Sequence, residues 1–152
     1  MNIVIFGEKG SGKSCLITRL IHGTFSLDYF PTQETTVTNA DIDCEYTRKN
    51  FTFREVPEQN SLFVRNMDAD FYILMIDGSK PRPESNISVY LDMLSEEQKI
   101  KTIIIVGKYD LPRGFKLDNQ DIAIRVSSRS CYNIPEVTTI LEELDEELII
   151  YQ

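Results

Sequence analysis

The sequence holds one histidine, His22, and three cysteines, Cys15, Cys44 and Cys131, widely spaced and without a CxxC pair. That set has too few ligands for a zinc centre. An odd, scattered count of cysteines reads as free thiols in a reducing compartment. Positive charge is also scarce: 16 Lys and Arg face 24 Asp and Glu, for a net charge of −8. The resulting field opposes non-specific binding to nucleic acid or to an acidic membrane surface. Apolar runs such as Ile103–Val106 are far too short to cross a bilayer. Asn2 to Phe6 already reads as structure, so no signal peptide precedes it. Met1-Asn2 cannot start a myristoylation signal, and Tyr151-Gln152 has no cysteine for prenylation. A cytoplasmic chain without an intrinsic membrane anchor is expected. There is no internal repeat, linker or low-complexity segment.

What is present is an ordinary globular balance, 41% hydrophobic and 26% charged over 152 residues. That length suits one domain spanning residues 1–152, able to bury a core unaided, and a monomer is expected. Short apolar runs alternate with helical periodicity. Ile3-Val4-Ile5-Phe6, Phe71–Ile76, Thr102–Val106 and Ile122–Val126 read as buried strands. Lys13–His22 carries Leu16, Ile17, Leu20 and Ile21 on one helical face, with Gly23 as C-cap. Phe25–Gln33 reads as a loop punctuated by Pro31. Thr35–Tyr46 and Phe51–Val56 read as two more strands, with Arg48-Lys49-Asn50 as the hairpin turn between them. Ile87, Tyr90, Leu91 and Leu94 mark a second helix. Asn133-Ile134-Pro135-Glu136 starts the last one, with Asn133 as N-cap. That helix buries Val137, Ile140, Leu141, Leu144 and Leu148, while Glu142, Glu143, Asp145, Glu146 and Glu147 form its solvated face. The alternation predicts an α/β fold: a mostly parallel sheet with one antiparallel edge strand and helices on both faces.

One motif carries chemistry. Gly7-Glu8-Lys9-Gly10-Ser11-Gly12-Lys13-Ser14 fits G-x-x-x-x-G-K-[ST], with a strand before it and a helix after it. Glycines let the backbone wrap a phosphate with successive N–H groups pointing inward, and the helix start adds the positive end of its dipole. Residues Lys9, Gly10, Ser11, Gly12, Lys13, Ser14 and Cys15 are the candidate cradle. Lys13 would reach the β- and γ-phosphates, and the Ser14 hydroxyl would ligate Mg²⁺.

Beyond this P-loop, the chain resembles the Ras-like small GTPases, including Rab and Rho relatives, over nearly its whole length. Phe25-Ser26-Leu27-Asp28-Tyr29-Phe30-Pro31-Thr32 is similar to their first switch. The resemblance implies a three-layer P-loop NTPase fold that binds GTP or GDP with Mg²⁺. It places Phe25 against the guanine, adds Tyr29 to the nucleotide site, and makes Thr32 a second Mg²⁺ ligand. Gly107-Lys108-Tyr109-Asp110 is similar to the base-reading N-K-x-D motif. By that likeness Asp110 accepts the guanine N1 and N2 hydrogens and the Lys108 stem lies against the base. Ser127-Ser128-Arg129 is similar to the S-A-K motif, with the Ser128 N–H meeting guanine O6. Effectors or regulators would meet the two switch regions, Tyr29–Thr36 and Glu55–Met67.

The departures from the family pattern concern catalysis. Glu55-Val56-Pro57-Glu58-Gln59 stands where the family has D-x-A-G-Q. Glu55 has an extra methylene, expected to push its carboxylate out of register with Mg²⁺. Glu58 brings charge where the family has glycine. Gln59 keeps the position of the glutamine that orients the attacking water, so Gln59 and Lys13 are the candidate catalytic residues. Lys9 replaces a glycine and should obstruct an incoming arginine finger, point outward into solvent, or supply a charge in cis. Gly107 replaces an asparagine that ties the base loop to the P-loop, and Leu111–Asp121 is too short for the family's helix. The expected function is a guanine-nucleotide switch with slow GTP hydrolysis. The alternative is a pseudoGTPase scaffold. An adenine-using P-loop kinase or ATPase would need an arginine-rich lid, for which the chain has no evident room.

Overall fold

The computed structural model describes residues 1–28, 31–81, 83–111 and 123–151. Strand β1 (Asn2–Gly7) is followed by α1 (Lys13–His22), the hairpin β2 (Thr36–Asp43) and β3 (Arg48–Glu55), and a 3-10 helix over Glu58–Asn66. Then come β4 (Phe71–Asp77), α2 (Pro83–Asp92), α3 (Glu96–Ile100), β5 (Thr102–Gly107), β6 (Ala123–Arg125) and α4 (Ile134–Tyr151). The six strands form one sheet in the order β2-β3-β1-β4-β5-β6, parallel throughout except for the antiparallel β2–β3 pair at one edge. This is the expected P-loop α/β architecture.

Alternation along the central strands splits the core in two. Ile3 and Ile5 of β1, Ile73 and Met75 of β4, and Ile105 of β5 pack with Leu16, Ile17 and Leu20 of α1 and Val137 and Leu141 of α4. Val4, Phe6, Tyr72, Leu74, Ile76 and Ile104 point the other way, onto Val64 of the 3-10 helix, Tyr90 of α2 and Leu94. Strands buried on both faces need a continuous apolar run, as β1, β4 and β5 have. Each such fully buried side chain contributes about 1.5–3 kcal/mol of transfer free energy.

Four local expectations are corrected. The hairpin turn is Cys44–Thr47, closed by a Cys44 N–H to Thr47 C=O bond of 2.8 Å, and Arg48, Lys49 and Asn50 lie within β3, paired with Asp43, Ile42 and Asp41. What anchors this turn is distant in sequence. The Glu142 carboxylate accepts from the Thr47 N–H at 2.8 Å, the Thr47 hydroxyl at 2.6 Å and the Tyr46 N–H at 3.3 Å. Glu142 is therefore buried, not part of the solvated face of α4, and Asp145 beside it pairs with Lys49 at 3.1 Å. Ile87, Tyr90, Leu91 and Leu94 do not share one helix: α2 stops at Asp92, and Ser95 opens α3 with a capping box to Gln98. Asn133 has φ 55° and its side-chain amide donates to the Arg125 carbonyl at 2.9 Å, so it does not cap α4 with its side chain. Ile122, with most of Leu111–Asp121, and the side chain of Leu148 lie outside what the structure describes.

Candidate functional site

The turn from β1 into α1 is built on three glycines with positive φ: Gly7 (130°), Gly10 (73°) and Gly12 (100°). At Gly7 a Cβ would lie 2.1 Å from the Met75 carbonyl oxygen, so the strand can approach β4 only without a side chain. No side chain caps the start of α1, where Gly12 is the N-cap. Its first-turn N–H groups are left for an anion. The Ser11 hydroxyl is fully buried and has no partner among the described residues, a further polar group awaiting one. Lys13 is buried, and its ammonium donates to the Gly7 and Glu8 carbonyls at 3.1 and 2.7 Å. Burial lowers its pKa, opposed by the carboxylates of Glu55, Glu58 and Glu8.

Three oxygens converge beside it. Glu55 Oε1 lies 2.5 Å from Ser14 Oγ and 3.1 Å from Thr32 Oγ1, and the two hydroxyls are 3.2 Å apart. The Glu55 carboxylate, one methylene longer than the family's aspartate, thus reaches both hydroxyls. An all-oxygen donor set suits a hard cation such as Mg²⁺. Gln59 donates its side-chain amide to the Gln33 carbonyl at 3.1 Å, tying the 3-10 helix to the loop that carries Thr32. Glu58 accepts from the Tyr90 hydroxyl at 2.9 Å.

At the opposite end, Asp110 is exposed and held by the Ser127 hydroxyl at 2.7 Å; Ser127 in turn accepts from the Ser130 N–H at 3.1 Å. Arg19 of α1 donates to the carbonyls of Ser128 and Arg129 at 2.6 and 2.9 Å, fixing that loop to the P-loop helix. Lys108, with φ 58°, pairs with the buried Asp77 at 2.9 Å. Burial works to raise the Asp77 pKa, but the hydrogen bonds from Ser79 and Lys108 win and hold it below the usual value. A Cβ on Gly107 would lie 2.5 Å from the Ser11 carbonyl oxygen, so the base-side loop and the P-loop are in backbone contact there.

One cavity of about 640 Å³ joins the two ends. It brings together Lys9, Gly10, Ser11, Gly12, Lys13, Ser14, Cys15, Phe25, Thr32, Gln59, Lys108, Asp110, Ser128 and Arg129. Ser127 is buried behind Asp110, outside that lining, and Tyr29 lies outside the described residues.

A model of the family described as Ras of Complex, Roc, domain of DAPkinase matches residues 2–110, from β1 through Asp110. The chain belongs to the Roc family of Ras-like domains. Roc-family membership makes it a GTP-binding, switch-like domain. It also narrows the broader Ras, Rab and Rho likeness seen in the sequence. No curated protein matches the chain. In this Roc domain several supporting residues carried no sequence signal. Glu8 sits at a free position of the P-loop pattern, yet it is buried and accepts from the Asp77 N–H at 2.9 Å and from Asn86. Arg19, on the polar side of α1, and Asp77, at a strand end, were equally silent. Among the described residues no helix is long and apolar enough to cross a membrane.

Proposed function

We propose that this chain is a guanine-nucleotide switch, a single domain over residues 1–152, that turns over GTP slowly. The observation that carries it is the single cavity running from the P-loop cradle to the Ser127-held carboxylate of Asp110. Lys9–Cys15 would wrap the phosphates, Phe25 and the Lys108 stem would flank the base, and Tyr29, Ser128 and Arg129 would close the site. The Asp110 carboxylate only accepts hydrogen bonds, which fits the two donors of guanine and not adenine. Ser14, Thr32 and Glu55 would hold Mg²⁺, which supplies charge neutralisation across the β- and γ-phosphates when bound. Lys13 would stabilise developing negative charge on the phosphates. For a water at Gln59 to be oriented, its amide must leave the Gln33 carbonyl, and that need supports slow turnover. Lys9 is exposed at the cavity mouth, where it would hinder a trans-acting arginine.

The test is an Asp110→Asn exchange. An amide that donates as well as accepts should cost at least tenfold in GTP affinity and improve binding of xanthosine triphosphate, whose C2 carries an oxygen. Unchanged preference, by competition against a fluorescent nucleotide, would rule out Asp110 as the base reader.

The second reading, a pseudoGTPase scaffold, is favoured by Pro57 and Glu58 and by the engaged Gln59 amide. Single-turnover release of phosphate that Gln59→Leu abolishes supports the enzyme; no release over hours supports the scaffold. In either reading, partners would meet the switch segments, where Leu62 and Phe63 are exposed. The three free thiols support a reducing, cytoplasmic setting.

A further inference from the structure

Glu58 opens the 3-10 helix and lines two cavities at once: the nucleotide cavity, and a neighbouring one of about 500 Å³ between that helix and α2. Its carboxylate is held in place. Tyr90, a buried residue of α2, donates its hydroxyl to Glu58 Oε1 at 2.9 Å. Burial and the Glu58 carboxylate both raise the phenol's pKa, so it stays a donor through neutral pH. The second acid of this wall, Glu55, has Oε1 at 2.5 Å from Ser14. Glu8 is turned away and committed to the Asp77 N–H and Asn86. Three cations lie on the P-loop side of these two cavities. The Lys13 ammonium is already shared between two carbonyls, Lys9 is exposed, and Lys80 reaches only the outer carbonyl of Lys9 at 3.5 Å.

Lys13 marks where the terminal phosphates sit, and Glu58 acts electrostatically on that same ammonium. A cation at Ser14, Thr32 and Glu55 would answer the Glu55 charge. Among the described residues Glu58 makes no ion pair, and its one hydrogen bond at this wall is from the neutral Tyr90 hydroxyl. From this geometry we infer that Glu58, pinned by Tyr90, makes the cavity select a guanosine diphosphate over the triphosphate. The inference rests on the guanine-nucleotide reading above. A diphosphate ends at Lys13 and the α1 N-terminus, whereas a triphosphate carries its extra charge toward a fixed carboxylate. One unit charge facing another in a partly solvated site is enough for about a tenfold difference in affinity.

The experiment titrates a fluorescent GDP and a non-hydrolysable GTP analogue, both with Mg²⁺, into the wild-type chain and into Glu58→Gln. Glutamine keeps the shape and an acceptor for Tyr90 while removing the charge. The wild type should prefer the diphosphate by about tenfold. In Glu58→Gln the preference should narrow to within about threefold, through tighter triphosphate binding with diphosphate affinity unchanged. Equal affinities in the wild type, or a ratio that Glu58→Gln leaves unmoved, would overturn the inference while leaving guanine binding intact. Failure of the wild type to bind either nucleotide would overturn the guanine reading, and the inference with it.

Discussion

Gly107 shows how one residue position joins the two halves of the site. The family's asparagine would tie the loops together with a side chain; here the main chains approach so closely that a Cβ would sit 2.5 Å from the Ser11 carbonyl oxygen. Gly107→Ala should force the P-loop and the base-side loop apart, at a cost of about 1–3 kcal/mol typical of overpacking. The expected result is a lower denaturant midpoint together with weaker guanine-nucleotide binding. Unaltered stability and affinity would show that the loops yield freely. The same contact shows why the substitution could not be interpreted from sequence. The missing asparagine reads as a lost tie, and only the folded chain shows the backbone contact that replaces it.

Among the elements, the β2–β3 hairpin and α4 depend on each other. Glu142 takes three hydrogen bonds from Tyr46 and Thr47, and Lys49 of β3 pairs with Asp145 at 3.1 Å. The hydrogen bond from the Thr47 side chain, then those from the Tyr46 and Thr47 N–H groups, outweigh burial and hold the Glu142 pKa below its ordinary value. The sign follows from linkage. A carboxylate depressed in the folded state contributes stability that is fully present above its unfolded value of about 4.3 and is lost as pH falls through the folded one. Glu142→Gln should therefore lower stability at neutral pH and flatten the fall in urea midpoint below about pH 5. A mutant curve parallel to the wild type across that range would exclude Glu142 as a source of acid lability. Turn prediction failed here because the anchoring carboxylate is 95 residues from Thr47. Cys44-Glu45-Tyr46-Thr47 has no glycine or asparagine to mark a turn, whereas Arg48-Lys49-Asn50 looks like one.

For the molecule as a whole, the site is a seam between separate stretches of chain. The P-loop, the Glu55–Gln59 segment, the 107–110 loop and the 127–129 loop meet only because β1, β3, β4 and β5 lie side by side. A ligand that touches all of them should stabilise the folded state by linkage. At a hundredfold excess over its dissociation constant, GDP with Mg²⁺ should add about 2.7 kcal/mol and raise the melting temperature by roughly 5–10 °C. The same concentration of ATP should leave the melting temperature near that of the free protein. Equal shifts for both would show that Asp110 does not select the base.

Several features were decided by local sequence. Apolar runs too short for helices and bounded by glycine dictate the central strands, and period 3.6 dictates α1, because each pattern buries its apolar side in only one geometry. The P-loop was legible for a similar reason: its glycines, Lys13 and Ser14 act through a contiguous backbone segment. Tertiary structure alone decided the convergence of Ser14, Thr32 and Glu55, the burial of Glu8 and Glu142, the Tyr90 bond to Glu58 and the Arg19 brace. Each of these joins residues far apart in the chain. Their partners are set by how strands and helices pack in space, and no local periodicity encodes that.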